Sequence, residues 1–452
     1  MGGGLIMAGQ LLLSLTILVS LHEFGHFITA KAFKMRVEKF YLFFDFLFPM
    51  ANVAKFAIFK KKIGDTEYGI GWFPLGGYVN ISGMIDETTE KGQLPAEPQP
   101  WEYRSKPAYQ RLIVILGGVI VNLILGVIIF TGIMFYYGEQ KTPMNEINKV
   151  GIHVGTYAKE LGFEEGDQIA SINGHQPKYW DDIFEVKEIM ADNPYFEVSR
   201  NGETKRIEMS HDFASRLGKE KDEFISPRML TYVEKLTPSL SNAKDAGLLP
   251  NDQIIGFDGI SAPYFHEFQL YLKDHKASKI NLTVLRNEKD TVILNVMVNE
   301  NAQIGFKPSV GKAFKMDTIH YTFMQSVPQG ISLGYKTVHD QIVGLGKIFT
   351  GKINAKDSLS GPIGIAQAFG AQWDWHWFWM LTGLISMVLA IMNLLPIPGL
   401  DGGYAIFILW EMITGKKVSD NVMQKALSVG LILILLLTFF AIGNDLFKIF
   451  TK

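Results

Sequence analysis

The stretch Leu18-Val-Ser-Leu-His-Glu-Phe-Gly-His-Phe-Ile-Thr-Ala30 combines an apolar background with three ionisable side chains. It belongs to an apolar run over residues 5–30 that is long enough to cross a bilayer as a helix. His22, Glu23 and His26 interrupt this run. Ionisable groups inside a bilayer are costly, face the protein interior and mark functional sites. The stretch therefore predicts a membrane helix that carries a site.

The spacing of these side chains indicates the kind of site. His22 and His26 are four residues apart, so on a helix both imidazoles project from one face. Glu23 is a candidate general base beside them. The pattern His-Glu-x-x-His is typical of zinc peptidases, in which two histidines bind zinc and the glutamate acts on a water. A polar cluster that only supports the fold is the alternative, and the membrane context favours the metal.

The composition limits the other classes of function. The net charge of −2 provides no basic surface for nucleic acid, and we expect no such partner. Mean hydropathy is +0.13 with 19% charged residues, which indicates that part of the chain lies in lipid. The chain has no cysteine, so any metal must be bound by His, Asp or Glu.

Four stretches are long and apolar enough to span a membrane: residues 5–30, 112–136, 377–395 and 422–442. The N-terminal residues contain no basic segment, so we expect the first span to be retained rather than cleaved as a signal peptide.

The distribution of positive charge predicts the orientation of the spans. Lysine and arginine cluster after the first span, before the second and between the third and fourth: Lys31, Lys34, Arg36 and Lys39; Arg104, Lys106 and Arg111; Lys416, Lys417 and Lys425. These loops should be cytoplasmic, with the insert over residues 138–372 and both termini outside. His22 then lies about 25 Å along a core of about 30 Å, near its cytoplasmic side. A third ligand should come from the end of the third span.

The end of the third span contains such a residue. The sequence Met392-Asn-Leu-Leu-Pro-Ile-Pro-Gly-Leu-Asp-Gly-Gly403 has two prolines that cannot continue a helix and glycines that allow a tight turn. Unwound backbone at membrane depth is tolerated where it lines a wet cavity. Asp401 is therefore the predicted third ligand, and a helix cap or loop turn is the alternative.

Two segments flanking the membrane spans have their own patterns. Residues 66–81 alternate in polarity and contain Gly and Pro, which predicts a strand pair that could dip into the membrane surface and bind an extended peptide at its edge. A plain surface hairpin is equally compatible, and residues 86–100 are read as a linker. Residues 323–349 are amphipathic and predict a helix at the outer interface, followed by a broken re-entrant approach over residues 359–366.

The large insert contains an internal repeat. Residues 160–174 match residues 245–259, at an offset of 247 − 162 = 85 between equivalent glycines. A Gly turn, a Gly-Asp-x-Ile strand start and an Asn/Asp-Gly hairpin resemble the PDZ domain of bacterial envelope proteases. PDZ domains bind extended peptides at a sheet edge. Whether these two bind a ligand or act as a filter is left open by the sequence.

These motifs together resemble the site-2 protease family, and within it the regulator-of-sigma-E group of bacterial inner membranes. The motifs are His22-Glu-Phe-Gly-His26, the segment from Asn393 to Gly402, and the tandem PDZ-like modules; residues 360–366 and 75–79 also match. Residues 117–122 depart from the family by lacking a proline before Asn122, which leaves the role of Asn122 open.

The resemblance implies an intramembrane zinc endopeptidase with one zinc ion bound by His22, His26 and Asp401 and with Glu23 as the catalytic residue. It implies a single-pass membrane protein as the substrate, such as an anti-sigma factor already trimmed on its outer side. The protein is then expected in the bacterial inner membrane, surrounded by lipid, with PDZ-like domains outside that exclude untrimmed substrates. The predicted substrate-binding residues are Asn393, Leu75, Gly76, Gly77, Tyr78 and Val79.

The predicted fold class is a polytopic α-helical membrane protein with about four transmembrane helices, two inserted PDZ-like domains that are mainly β with short helices, and a membrane-associated β-hairpin. The predicted divisions are residues 1–137 and 373–452 for the membrane halves, 138–225 and 226–308 for the PDZ-like domains, and 309–372 for the amphipathic and re-entrant segment.

Two other functions compete with the protease. One is a non-catalytic membrane-anchored PDZ adaptor with a structural metal site, against which the intact Glu23 argues. The other is a metal or proton transporter, and the absence of a second set of intramembrane charges argues against it.

Overall fold

A computed structural model of the chain describes residues 2–46, 54–74, 76–84, 97–189, 191, 193–210, 213–217, 224–237, 240–350 and 361–450. The chain divides into two compact units. The membrane unit comprises residues 1–138 and 320–451, and the inserted unit comprises residues 139–319. Predicted features at residues 75, 85–96 and 351–360, which include Leu75 and most of the predicted linker, lie outside the described residues.

In chain order the described α-helices are α1 (Gly2–Ala32), α2 (Ala108–Tyr136), α3 (Met144–Ile147), α4 (Thr156–Leu161), α5 (Val186–Ile189), α6 (Phe213–Leu217), α7 (Asn242–Asp245), α8 (Phe265–Asp274), α9 (Val310–Ala313), α10 (Phe323–Phe349), α11 (Pro362–Phe369), α12 (Trp375–Leu394), α13 (Asp401–Thr414) and α14 (Asp420–Phe450). Short 3₁₀ turns occupy Tyr103–Ser105 and Trp180–Phe184.

The described strands are β1 (Val37–Tyr41), β2 (Ala57–Ile63), β3 (Thr66–Gly71), β4 (Tyr78–Ile81), β5 (Glu139–Lys141), β6 (Ile152–Val154), β7 (Gln168–Ile172), β8 (Tyr195–Arg200), β9 (Glu203–Glu208), β10 (Ile225–Pro227), β11 (Thr231–Leu236), β12 (Gln253–Phe257), β13 (Ile260–Ser261), β14 (Lys279–Arg286), β15 (Asp290–Met297), β16 (Phe306–Pro308) and β17 (Asp317–Ile319).

The four predicted membrane spans are confirmed as helices. Among the described residues, α1, α2, α12 and residues 421–446 of α14 are long and apolar enough to cross a membrane. Helix α2 packs against α1, α10, α12 and α13, so it forms the centre of the membrane unit. Helices α1 and α2 approach closely because Gly25 of α1 has no side chain. A Cβ at this position would collide with the Gly117 carbonyl of α2.

Polar side chains also join the membrane helices. Thr382 of α12 donates to Ser14 of α1 at 3.0 Å, and Ser386 donates to the Asn122 carbonyl of α2 at 2.7 Å. All these side chains are buried. Because hydrocarbon offers no alternative partner, these hydrogen bonds fix the register of α12 against its neighbours.

The strand pair predicted over residues 66–81 requires a correction. Both segments are strands, but the sheet order is β2-β3-β1-β4, so β1 separates β3 from β4. Strand β3 instead forms a hairpin with β2, and β4 pairs antiparallel with β1. The physical reason is that β1, which directly follows α1, offers two free edges and accepts β3 in parallel on one of them.

Helix α10 confirms the helix that was predicted over residues 323–349. It packs along α2 and α12: a Cβ on Gly330 would meet Thr131, and one on Gly334 would meet Val127 and Met387. These contacts run from the end of α2 towards its middle as α10 proceeds. The helix is therefore part of the membrane bundle rather than only an interfacial element.

The re-entrant segment is in part a short helix, α11, whose N-terminus is held by α14. Asp445, which is 4% exposed, accepts hydrogen bonds from the backbone N–H groups of Gly361 and Gly364 at 3.0 and 2.9 Å. The first N–H groups of a helix lack intrahelical partners, so a buried carboxylate at this end satisfies them and complements the helix dipole.

The inserted unit contains two similar β-rich halves, each with its own hydrophobic core. The first has the antiparallel sheet β7-β8-β9 and the pair β6-β10, and the second has the sheet β15-β14-β12-β11-β16. Gly162 and Gly247, equivalent in the repeat, both have positive φ, 99° and 85°. The halves agree with the predicted PDZ-like modules.

Each copy of the repeat also contains an arginine–aspartate ion pair, which the sequence pattern did not predict. Arg200 binds Asp167 through two hydrogen bonds of 2.7 and 2.8 Å, and Arg286 binds Asp252 through two of 2.9 and 2.7 Å. Asp167 and Asp252 are 1% and 2% exposed. Each half therefore contains a buried bidentate arginine–carboxylate pair.

The edges of the inserted unit differ from the predicted divisions. Strand β10 pairs with β6, so a division between residues 225 and 226 would cut through a strand. The unit also extends to residue 319 rather than 308, because β17 pairs with β5 at its beginning.

Candidate active site

The two histidines of α1 face each other on one side of the helix. Their Nε2 atoms are 3.2 Å apart, and their ring planes cross at 83°. This is the arrangement expected for residues one helical turn apart. Neither ring points into lipid, because both side chains are only 11–12% exposed.

Asp401, the first residue of α13, reaches the same point from the other end of the chain. Its carboxylate oxygens lie 3.2 Å from His22 Nε2 and 3.6 Å from His26 Nε2. Helix α13 is anchored on α2 by an ion pair of 2.6 Å between Arg111 and Glu411. The ligand atoms of the three residues all lie within 4.8 Å of one another.

The second nitrogen of each imidazole has a partner that selects its protonation. His26 Nδ1 is 2.9 Å from the Val114 carbonyl, which can only accept, so Nδ1 carries the proton and Nε2 is free. His22 Nδ1 is 3.2 Å from the side-chain amide of Asn122. Asn122 Oδ1 is buried without a partner, and turning the amide over lets this oxygen accept from His22 Nδ1–H. Both Nε2 atoms are then available as metal ligands.

Glu23 lies beside the cluster and lines the same cavity, whose volume is 240 Å³. The backbone of Val79 on β4 lies close to its carboxylate. The cavity is also lined by His22, His26, Asp401 and Asn393. A carboxylate, three metal-type donors and a space for a small group are thus brought together by α1, α13 and β4.

The predicted substrate-binding strand is in part on the cavity wall. Gly77, Tyr78 and Val79 line the cavity, Gly76 lies against the ring of Phe44, and Leu75 is outside the described residues. Within the described sheet, β4 is an edge strand. Because three residues at its start line the cavity, this edge strand lies beside the cavity.

The orientation of β4 is fixed by an aromatic contact. The Tyr78 hydroxyl donates to Asp45 at 3.0 Å, and its ring stacks on that of Tyr41 with centroids 5.3 Å apart. Burial, reinforced by the Asp45 carboxylate, raises the pKa of Tyr78, so the phenol remains a donor throughout the physiological range. This contact supports the strand beside the cavity.

Asn393 lies in the last turn of α12, with its side-chain amide 3.5 Å from His22 Nε2. Asn393 also lines the cavity. A polar amide at this position can hydrogen-bond a peptide group that enters the cavity.

Gly118 of α2 is a site residue that the sequence analysis did not identify. A Cβ at this position would lie 2.6 Å from His22 Cε1 and 2.6 Å from His26 Nε2. The two imidazoles therefore pack directly on the α2 backbone. The only signal in the sequence is the pair Gly117-Gly118 inside an otherwise apolar helix.

Comparison with known proteins identifies the family of the chain. Residues 10–437 match Peptidase family M50. The chain is 29% identical to the regulator of sigma E protease of Haemophilus influenzae, with 98% of each chain covered. It is 27% identical to the regulator of sigma-E protease RseP of Escherichia coli and to the protease RseP of Yersinia pestis, in both cases over 96% of this chain and 97% of the relative. The chain belongs to peptidase family M50, the site-2 protease family of intramembrane metalloproteases.

Proposed function

We propose that the protein is an intramembrane zinc endopeptidase that cleaves single-pass membrane proteins within or near their transmembrane helix. The observation that carries this proposal is the convergence of His22, His26 and Asp401 in a cavity that Glu23 also lines. Membership of family M50 supports the same reaction.

The three donors fit one zinc ion. Two imidazoles and one carboxylate are ligands that zinc prefers, and three protein ligands leave a fourth position for water or substrate. Asp401 Oδ2 is buried and has no hydrogen-bond donor, although His22 Nε2 is close, which suits an oxygen that binds a cation. A zinc ion bound here supplies a Lewis acid and lowers the pKa of a water to about 7.

Glu23 is the proposed general base and then the general acid. It accepts the proton of the attacking water as the water oxygen adds to the peptide carbonyl carbon. It then donates this proton to the amide nitrogen as the C–N bond breaks. We infer that the adjacent Val79 backbone orients the carboxylate for both transfers.

A substrate helix must unwind before this reaction, because its carbonyl groups are held in internal hydrogen bonds. The outer edge of β4 is the proposed partner for the unwound segment, which it would bind by strand addition through Tyr78 and Val79. Asn393, on α12, is proposed to hydrogen-bond the peptide near the scissile bond. Together they would hold an extended chain beside Glu23.

The substrate class and the orientation are further parts of the proposal. Curated relatives are named as regulators of sigma-E, so we infer that the substrate is a membrane-anchored regulator such as an anti-sigma factor, already trimmed on its outer side. The proposed location is the bacterial inner membrane, with the PDZ-like halves outside and the active site near the cytoplasmic face. In this position the PDZ-like halves would exclude untrimmed substrates.

The test is cleavage of a model single-pass substrate by purified protein and by the variant Glu23→Gln. We expect the rate to fall at least about 100-fold, as for the loss of a general acid–base, while one zinc ion per chain is retained. Glu38→Gln, which changes an exposed carboxylate on β1, is the matched control and should cleave normally. Cleavage by Glu23→Gln at the parent rate would contradict the mechanism and favour the adaptor.

A further inference from the structure

A second group of metal-type donors lies in the inserted unit, away from the candidate active site. It consists of His153 and Glu165 from the first PDZ-like half and His266 from the second. One ligand atom from each residue lies within 4.8 Å of the other two. Among the described residues, this group and the active-site group are the two sets that satisfy this criterion.

The backbone holds these side chains in fixed positions. Ile152 and Val154 of β6 are buried, so strand alternation turns His153 to the opposite face. His266 is in the first turn of α8. The segment between β10 and β11 joins the two halves here. Its Arg228 N–H donates to the Gly151 carbonyl at 3.1 Å, and its Met229 carbonyl accepts from the Phe265 N–H at 2.8 Å.

The distances within the group bring the donors of all three residues close together. His153 Nδ1 lies 2.8 Å from a Glu165 oxygen, yet it is buried and makes no hydrogen bond. His266 Nε2 lies 3.9 Å from the other Glu165 oxygen. The two imidazole rings stack with centroids 4.1 Å apart. Small side-chain rotations would bring all three donors within bonding distance of one cation.

The charges around the group also bear on the assignment. Two cations are close. Lys159 lies 3.8 Å from Glu165 but is 59% exposed and free to turn away, and Arg228 is stacked over the ring of Tyr264.

We propose that His153, Glu165 and His266 form a binding site for a divalent transition-metal ion of the zinc class, which joins the two PDZ-like halves. Two imidazoles and one carboxylate are suitable zinc ligands, and the partly exposed side leaves a position for water. His153 and His266 also line a cavity of 640 Å³ that both halves contribute to. The ion would therefore fix the relative position of the walls of this cavity.

The test uses the full-length protein with His22→Ala and His26→Ala, so that the active-site ligands do not contribute. Purified protein is saturated with Zn²⁺, desalted and analysed for metal. We expect about one zinc ion per chain, and about none when either His153→Ala or His266→Ala is added. The matched control is His175→Ala, which removes an exposed histidine of the first half that pairs with Glu188 and should retain the ion.

Hydrogen exchange provides a second readout that does not depend on stoichiometry. Zn²⁺ should slow exchange in β6 and α8 together in the two-histidine background, and it should leave both unchanged in the His266→Gln variant. Far-UV circular dichroism establishes that each variant is folded. The proposal is overturned if the background protein retains no zinc, or if it retains an ion that neither the His153 nor the His266 substitution removes.

Discussion

Gly118 gives the sharpest prediction for a single residue. In Gly118→Ala the added methyl would lie within 2.7 Å of imidazole atoms of both His22 and His26, so one ring must leave its position. We expect the zinc affinity to fall about 10- to 100-fold, the range that follows from disturbing ligand orientation, and cleavage to fall with it. The measurement is a zinc competition titration with a chelator.

The same helix supplies the control for this substitution. Gly132, also on α2, has open space around its Cβ position, so Gly132→Ala should leave zinc affinity and cleavage unchanged. Equal zinc affinity in Gly118→Ala and the parent would mean that the histidines do not bind the metal in the conformation described.

For single residues, the sequence predicts reactive side chains better than it predicts the small residues and backbone groups that pack around them. His22 and His26 follow a spacing that a helix turns into one face, with Glu23 beside them, and Asp401 directly follows a turn that the prolines and glycines require. Gly118 and the Val79 backbone have no reactive side chain to recognise. Their roles arise from a helix crossing and a strand edge that only the folded chain reveals.

Arg200 gives a prediction for an element, the sheet β7-β8-β9. Its guanidinium neutralises Asp167, which is buried, so Arg200→Ala would leave an uncompensated carboxylate in the core of the first PDZ-like half. Loss of one partner from a buried pair costs about 3–5 kcal/mol. We expect the free energy of opening of β7 and β8, measured by hydrogen exchange in the full chain, to fall by about this amount.

Lys205→Ala, on exposed strand β9 of the same sheet, is the matched substitution and should change this free energy by less than about 1 kcal/mol. A similar small effect in Arg200→Ala would show that other groups compensate the charge of Asp167. The ion pair would then not stabilise the first PDZ-like half.

Whether an element could be predicted depends on whether the residues that determine it are close in sequence. The long apolar helices and the turns of the repeat, Gly166-Asp-Gln-Ile169 and Asn251-Asp-Gln-Ile254, depend on residues close in sequence and were predictable. The pairing of β1 between β3 and β4 depends on distant partners, so the sequence indicated strands but not their order. Helix α13 was missed because Asp401 to Gly403 resembled the continuation of a loop, and it begins there because the Asp401 carboxylate suits a helix N-terminus.

The whole chain gives a prediction about topology, and its lack of cysteine makes the measurement simple. Single cysteines replace Lys34, Lys289 or Lys416, which are exposed. In intact spheroplasts, a membrane-impermeant maleimide should label Lys289→Cys, whereas Lys34→Cys and Lys416→Cys should react only after the membrane is opened. The reason is the excess of lysine and arginine beside the ends of the spans.

The cysteine-free parent, which should not react, is the control for this labelling. Lys34 follows the end of α1, and Lys416 follows the end of α13. Reaction of Lys34→Cys and Lys416→Cys from opposite sides of the membrane would contradict the predicted loop orientation, which brings His22 and Asp401 to one face of the membrane.

The residues of the candidate site are far apart in the sequence, and this separation has a consequence for biosynthesis. The ribosome makes His26 first and Asp401 only after another 401 − 26 = 375 residues. At about 5–20 residues per second, the proposed third ligand follows the two proposed histidine ligands by about 20–75 seconds. During this time the proposed donor set is incomplete. We therefore expect a nascent chain to be unable to cut neighbouring membrane proteins, and the hydrolytic centre to be assembled only when nearly all of the polypeptide has been made.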